Sequence, residues 1–226
     1  MRKEIATTRD GSHTVVVPEL TVTYHSVHGA IQESLHVFVE AGLKYLLQQS
    51  AHEHICILEI GFGTGLNALL TAMEVEKSST SIYYVALEPF PISVEAAHQL
   101  NYCQQLERKD LQADFIRMHE CEWNKGLSIT EEILMHKSNS SLQEFNHQTK
   151  FNLIYFDAFA PAAQPELWTT EIFRKLFELL QPGGVLVTYC AKGDVRRAMK
   201  EAGFTVKKLP GPPGKREMLR AEKTLA

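Results

Sequence analysis

The spacing of apolar residues changes period repeatedly along this chain. Near the N-terminus, the turn dipeptide Asp10–Gly11 lies between a polar stretch and the β-branched stretches Thr14–Val17 and Leu20–Tyr24, which predicts a hairpin within residues 1–24. From Ile31 to Gln49, Leu35, Val39, Leu43, Leu46 and Leu47 recur at helical spacing, predicting a helix or a helix pair broken near Gly42. Strand and helix patterns then alternate. Strands are predicted at 55–60, 81–88, 115–119, 151–156 and 185–189, with helices at 66–76, 91–106 and 170–180 between them. The polar stretch 124–149 predicts a short helix at 128–136 and a Ser/Asn/Gln-rich loop. A helix at 193–202 and strands at 204–208 and 217–220 complete the chain. Continuous apolar strands alternating with helices predict an α/β fold: a doubly wound, mostly parallel sheet, with ligands at the C-terminal ends of its strands. A small hairpin-and-helix extension (1–50) is expected to pack on the main domain (51–226).

Length and composition agree with this picture. At 226 residues, 44% hydrophobic and 22% charged, the chain is long enough to bury a core without staples. Four scattered cysteines without a CxxC pair, and no histidine at ligand spacing, argue against disulfides and zinc, so no metal is expected. No apolar run approaches the roughly 20 residues of a membrane span, and residues 1–14 lack a signal-peptide core. The protein therefore reads as cytoplasmic, with no membrane partner, and a monomer is the default expectation. The net charge of −4 conceals a division. From Lys192 onward there are ten Lys/Arg against four acids, a net of +6, whereas the preceding residues carry a net of −10.

The sharpest motif is Glu59-Ile60-Gly61-Phe62-Gly63-Thr64-Gly65-Leu66-Asn67, placed where a strand turns into a helix. Glycines there let a ligand approach bare backbone. A dinucleotide fingerprint needs its third glycine where Leu66 stands. The GxGxG spacing with an acid two residues upstream instead resembles the first motif of class I S-adenosylmethionine-dependent methyltransferases. That resemblance implies that Glu59, Gly61, Phe62, Gly63, Thr64, Gly65 and Asn67 form the cofactor loop. Glu88, followed by Pro89, ends the next strand, where a carboxylate can accept hydrogen bonds from ribose hydroxyls. Either Glu120 or Glu122, after the third predicted strand, is expected to meet adenine, and the pattern does not choose between them.

At the same sheet edge the fourth strand delivers Asp157, with Phe159, Pro161 and Trp168 following. An alkyl amine is protonated at neutral pH and lacks a lone pair; a carboxylate can hold it, take its proton and orient the nitrogen. The aromatic residues suit stacking on a base or covering a cation, although for Trp168 a place in the core is an equal expectation.

The stretch Tyr155–Pro161, with Pro165-Glu166-Leu167-Trp168-Thr169, the glycine loop, Val195–Arg197, Glu201–Val206 and Gly214–Leu219, resembles the MnmC/MnmD methyltransferase family. Gly29, Glu33-Ser34 and His36–Glu40 resemble that family's N-terminal segment. The resemblance implies S-adenosylmethionine as cofactor, with Asp157 contacting the acceptor amine. It further implies methylation of the 5-aminomethyl group of (2-thio)uridine at the tRNA wobble position. The chain lacks the length for the family's flavin oxidase module and has no GxGxxG, so no flavin is expected. The basic block, with Lys192, Arg196, Arg197, Lys215 and Arg216, is then the expected contact for the anticodon stem-loop. The rival readings are a class I methyltransferase of small-molecule or protein amines and a non-catalytic cofactor-binding module.

Overall fold

The computed structural model describes residues 2–49, 52–78 and 80–224. The expected boundary between residues 50 and 51 falls outside them. Eleven strands are present among the described residues, in a three-stranded and an eight-stranded sheet. Strands β1 (Glu4–Thr7), β2 (His13–Val17) and β3 (Val22–Thr23) form the small antiparallel sheet, so the predicted hairpin gains a third strand. The large sheet comprises β4 (His54–Ile60), β5 (Ser81–Leu87), β6 (Gly126–Ser128), β7 (Ile133–Ser138), β8 (Phe151–Phe156), β9 (Leu180–Thr188), β10 (Thr205–Pro210) and β11 (Glu217–Glu222). Their order is β10-β11-β9-β8-β4-β5-β7-β6, parallel from β9 to β7 and antiparallel at both edges. From β4 the chain winds outward to β5 and β7, then returns to β8 on the other side. The strand order therefore reverses between β4 and β8, where an open α/β sheet leaves a crevice at its C-terminal edge.

Burial follows from this order. Central β8 is buried throughout, and β4 along all but its first residue, because helices cover both faces. Cys56, Leu58 and Ile60 face a core completed by α7 (Thr170–Leu179) and α8 (Gly193–Glu201). Ile55 and Ile57 face the opposite core, with α3 (Leu66–Val75) and residues 35–44. The N-terminal helical stretch, α1 (Ala30–Ser34), a π-helical segment Leu35–Lys44 and α2 (Tyr45–Gln49), does not break at Gly42. Gly42 instead lets the wider π turn lie directly on the sheet: a Cβ there would stand 3.0 Å from Val187 and 3.3 Å from Leu153 and Tyr155.

Two predicted elements exchange identity. Residues 115–119, expected as a strand, lie within helix α6 (Gln112–Glu120). Leu111, Phe115 and Met118 are buried at i, i+4 and i+7, with Asp114 in the first turn and Arg117 and His119 in the last, as a helix dipole favours. Residues 128–136, expected as a helix, are a turn and strand. Ile133, Met135 and Lys137 point inward and Leu134 outward, with period two. Lys137 tolerates burial because its ammonium donates to the His119 carbonyl at 2.6 Å and sits 4.4 Å from the centre of the Trp123 ring. The predicted helix 91–106 is two short ones, α4 (Val94–His98) and α5 (Tyr102–Gln105). Between them the Asn101 side chain accepts from His13 N and donates to Gly11 O, so the Asp10–Gly11 turn occupies the break.

Gly42→Val is expected to destabilise the protein by about 1–3 kcal/mol, since overpacking against three core side chains outweighs the removal of a helical glycine, worth at most about 1 kcal/mol. Denaturant unfolding measures this.

Candidate active site

The crevice between the β4 and β8 ends opens into a cavity of about 420 Å³, a size that holds a small ligand or cofactor. One wall is the glycine loop. Gly61, Gly63 and Gly65 have φ of +88°, +53° and +74°, a region that side chains disfavour. Gly61 has a second constraint: Asp157 N donates to Ile60 O at 3.0 Å, and a Cβ on Gly61 would lie 2.8 Å from the Asp157 carbonyl oxygen. Gly61, Phe62, Gly63, Thr64 and Asn67 line the cavity. Gly65 instead caps α3 from below, and its amide donates to Phe62 O at 2.8 Å.

Glu59 lies beneath the loop with no exposure. Asn67, in the first turn of α3, reaches back between two acids. Its Nδ2 donates at 3.0 Å to Glu59 Oε1 and at 3.0 Å to Asp157 Oδ2. Glu59 Oε2, Asn67 Oδ1 and the hydroxyl of the neighbouring Tyr84 are buried without a hydrogen bond of ordinary geometry among the described residues. Burial, opposed by the Asn67 hydrogen bond, pushes Glu59 up to about 8. Asp157 is open to the cavity rather than to bulk solvent. Desolvation, then repulsion from Glu33 and Glu59, holds it well above the usual carboxylate range; Asn67 and Lys215 pull the other way.

Across the cavity Glu88 accepts Gly63 N at 2.8 Å on one oxygen and Phe90 N at 2.9 Å on the other. Its carboxylate is held in place, and each oxygen keeps a lone pair for a hydroxyl. Burial raises its proton affinity while these two amides lower it. Pro89 and Phe90 continue the wall, Phe90 being 63% exposed. The loop's outer side is braced by buried polar groups. Tyr102 donates to Thr64 Oγ1 at 3.1 Å, His119 Nε2 donates to Thr64 O at 3.1 Å, and His25 Nε2 stands 3.4 Å from the Thr64 hydroxyl. Burial lowers both histidines to about 4, so they are neutral at physiological pH.

The opposite wall carries Asp157, Ala158, Phe159, Gln164, Glu166 and Leu167. Phe159 meets Tyr24 edge-on at 5.2 Å, and its amide donates to Gln164 Oε1. Trp168 belongs to the core, edge-on to Phe156 at 4.9 Å, and supports the wall from behind by donating Nε1 to Phe159 O at 2.8 Å. Pro161 lies in the turn beyond the lining residues.

Neither Glu120 nor Glu122 reaches this cavity. Both line a separate shallow cleft with Arg117 and Lys125, because the segment before them is helix α6 and not the third parallel strand. That strand is β7, and the chain leaving it brings Ser141, Leu142 and Gln143 to the cavity. Among the basic residues, Lys192, Arg197 and Arg216 are exposed, Arg196 is partly so, and Arg197 pairs with Asp194. Lys215 is turned inward onto Glu33 at 2.5 Å. Tyr24 and His25, carried in by the N-terminal extension, left no signal in the pattern, since only folding brings residue 24 beside residue 63. Phe90 has a signal in the sequence, as an aromatic two residues after the strand-end acid Glu88.

Residues 99–224 match the family of S-adenosyl-L-methionine-dependent methyltransferases. Two proteins named tRNA 5-methylaminomethyl-2-thiouridine biosynthesis bifunctional protein MnmC are similar to the chain. That of Pseudomonas entomophila is 30% identical over 207 residues, covering 87% of this chain and 31% of that protein. That of Idiomarina loihiensis is 33% identical over 210 residues, covering 87% and 34%. The chain thus spans about a third of the length of these relatives. The crystal structure of MnmC2 from Aquifex aeolicus superposes with a TM-score of 0.76 at 28% identity, covering 100% of this chain and 72% of that one. Among the described residues no helix is long and apolar enough to cross a membrane.

The buried carboxyl of Glu59 has a consequence for stability. Its proton affinity is higher folded than unfolded, so its contribution is complete below about pH 4.5 and is lost as pH rises through about 8. Glu88 and Asp157 act in the same sense. Glu59→Gln is expected to flatten, in part, the fall in melting temperature of the ligand-free protein between pH 5 and 8.

Proposed function

Because this chain belongs to the S-adenosyl-L-methionine-dependent methyltransferase family, we propose that it N-methylates the 5-aminomethyl group of a tRNA wobble (2-thio)uridine, giving the 5-methylaminomethyl product. The cofactor is S-adenosylmethionine, and the residues present suit it. The Gly61–Gly63 backbone is bare for its amino-acid portion, the anchored Glu88 carboxylate has free lone pairs for ribose hydroxyls, and Phe90 offers a flat apolar surface beside Gln143. When bound, the cofactor supplies an electrophilic methyl on a sulfonium that departs as a neutral thioether, so no oxyanion needs stabilising.

The observation that carries the amine reading is Asp157: a carboxylate facing the cavity, desolvated and flanked by two further acids. Negative charge there attracts an ammonium. The raised proton affinity of Asp157 narrows its gap to an amine near pKa ~10, so the proton passes from nitrogen to carboxylate more readily than it would to an ordinary aspartate. The amine lone pair is then free and held in line by the Asp157 oxygens, in a cavity that Tyr24 and Phe159 also line. Phe159, which lines the same cavity, would stack on the base carrying the amine.

The tRNA reading draws on the printed names of the similar proteins and on charge placement. Lys192 and Arg196 follow the C-terminal end of β9, and Arg216 precedes β11. Because β11 runs antiparallel to β9, with Leu219 opposite Thr188, all three lie at the cavity's edge of the sheet. They would meet the phosphates of the anticodon stem-loop.

Methyl transfer from labelled cofactor to tRNA lacking the modification, followed by nucleoside analysis, tests the reaction. Label is expected in 5-methylaminomethyl(-2-thio)uridine; label on a ring carbon, on ribose or nowhere refutes the proposal. Asp157→Ala is expected to bind cofactor with little change and to lose about 10²–10⁴-fold in turnover. For the phosphate contacts, tRNA affinity should fall steeply with salt, and Arg196→Ala should reduce the log–log salt slope by about one.

A further inference from the structure

Behind Asp157, outside the cavity lining, lies an ion pair to which methyl transfer as described gives no task. Lys215 Nζ stands 2.5 Å from Glu33 Oε1 and 3.9 Å from the centre of the Tyr189 ring. The other Glu33 oxygen accepts Ser26 N at 2.7 Å. The Glu33 side chain is only 8% exposed and that of Lys215 31%, so this pair is more buried than surface pairs such as Lys208–Glu217. Surface pairs contribute little, whereas a buried pair is retained against a desolvation cost. Three distant parts of the chain build it: α1, the end of β9, and the turn between β10 and β11. That turn is seated tightly on the N-terminal segment, since Gly214 has φ +84° and a Cβ there would collide with the His28 ring.

The pair reaches the Asp157 segment through Tyr189, whose ring packs on Lys215 Nζ. Glu33 from α1 and Glu59 from β4 oppose ionisation of Asp157, Lys215 favours it, and Asn67 from α3 donates to it. Tyr189 ties the arrangement together, for its hydroxyl donates at 2.8 Å to the carbonyl of Ala158, the residue after Asp157. The Lys215 charge also acts on His25 and Cys190.

We infer that Glu33 and Lys215 are positioning residues of the methyl transfer, an ion pair held by Tyr189 behind Asp157 that sets, in opposite senses, the charge met by the acceptor's ammonium. The inference rests on the amine-methylation reading above. Lys215→Met removes the cation paired with Glu33, and Glu33→Gln removes an anion while keeping its shape.

Two measurements test it. In the first, the acid limb of kcat/KM for tRNA is expected to move up by about one pH unit in Lys215→Met and down by a similar amount in Glu33→Gln. Lys215→Arg should restore the wild-type profile, and KM for S-adenosylmethionine should stay within about twofold throughout. In the second, without substrate, the Asp157 carboxyl carbon is titrated by NMR in carbon-13-aspartate-labelled protein and assigned by its loss in Asp157→Asn. The same opposite displacements are expected. Displacements of one sign in both variants, or none, overturn the inference. Should Lys215→Met fail to fold, Glu33→Gln decides alone, and absence of a downward displacement overturns it. Failure of the wild-type protein to methylate tRNA would remove the amine reading instead, and the carboxyl titration would still decide the inference.

Discussion

The contact on which the site depends is the approach of the β4 and β8 ends, where no Cβ fits between Gly61 and the Asp157 carbonyl. Two parallel neighbours at a point of strand-order reversal diverge into loops on opposite sides, which is why a crevice forms there. In the proposed reading the two loops carry the two halves of the transfer: glycines that expose backbone on one side, and a carboxylate on the other. Any side chain at Gly61 would part the strands and widen the distance between donor and acceptor. The left-handed backbone at Gly61 and the absence of a side chain therefore answer one requirement.

Electrostatics follows from that proximity. Placing Glu59 under the loop and Asp157 beside it puts two carboxyls within reach of one amide, and Asn67 donates to both. With Glu33 nearby the region gathers three acids and one inward-turned lysine, Glu33 and Glu59 being buried. In water such charges would be screened; here burial raises the proton affinity of both Glu59 and Asp157. The neutral histidines bracing the glycine loop share this economy: His25 and His119 hold Thr64 without adding charge to the cavity wall.

Legibility was uneven for identifiable reasons. Strands β4, β5 and β8 are continuous apolar runs bounded by turns, so period and length identify them. Residues 112–138 misled because short amphipathic stretches fit either period. Phe115–His119 spans too few residues to separate alternation from a helical face, and Lys137 looks like a solvent position until His119 and Trp123 are seen to receive it. Exchanging those two elements carried the expected adenine contact to Glu120 or Glu122. The true edge there is Ser141–Gln143, within a polar stretch that has no periodicity of its own.

The linear order of residues determined what is local. The glycine loop, the strand-end Glu88, the strand-end Asp157 and the alternation that makes the sheet parallel all depend on neighbours a few positions apart, where spacing and chemistry are visible together. Tertiary structure decided what depends on closing long loops: Tyr24 and His25 at the cavity, Asn101 in the Asp10–Gly11 turn, Trp168 as support rather than wall, and Lys215 turned onto Glu33. A basic residue in a row of basic residues carries no mark of which way it faces. Its partner lies 182 positions away, and only the pairing of β11 with β9 brings the two together.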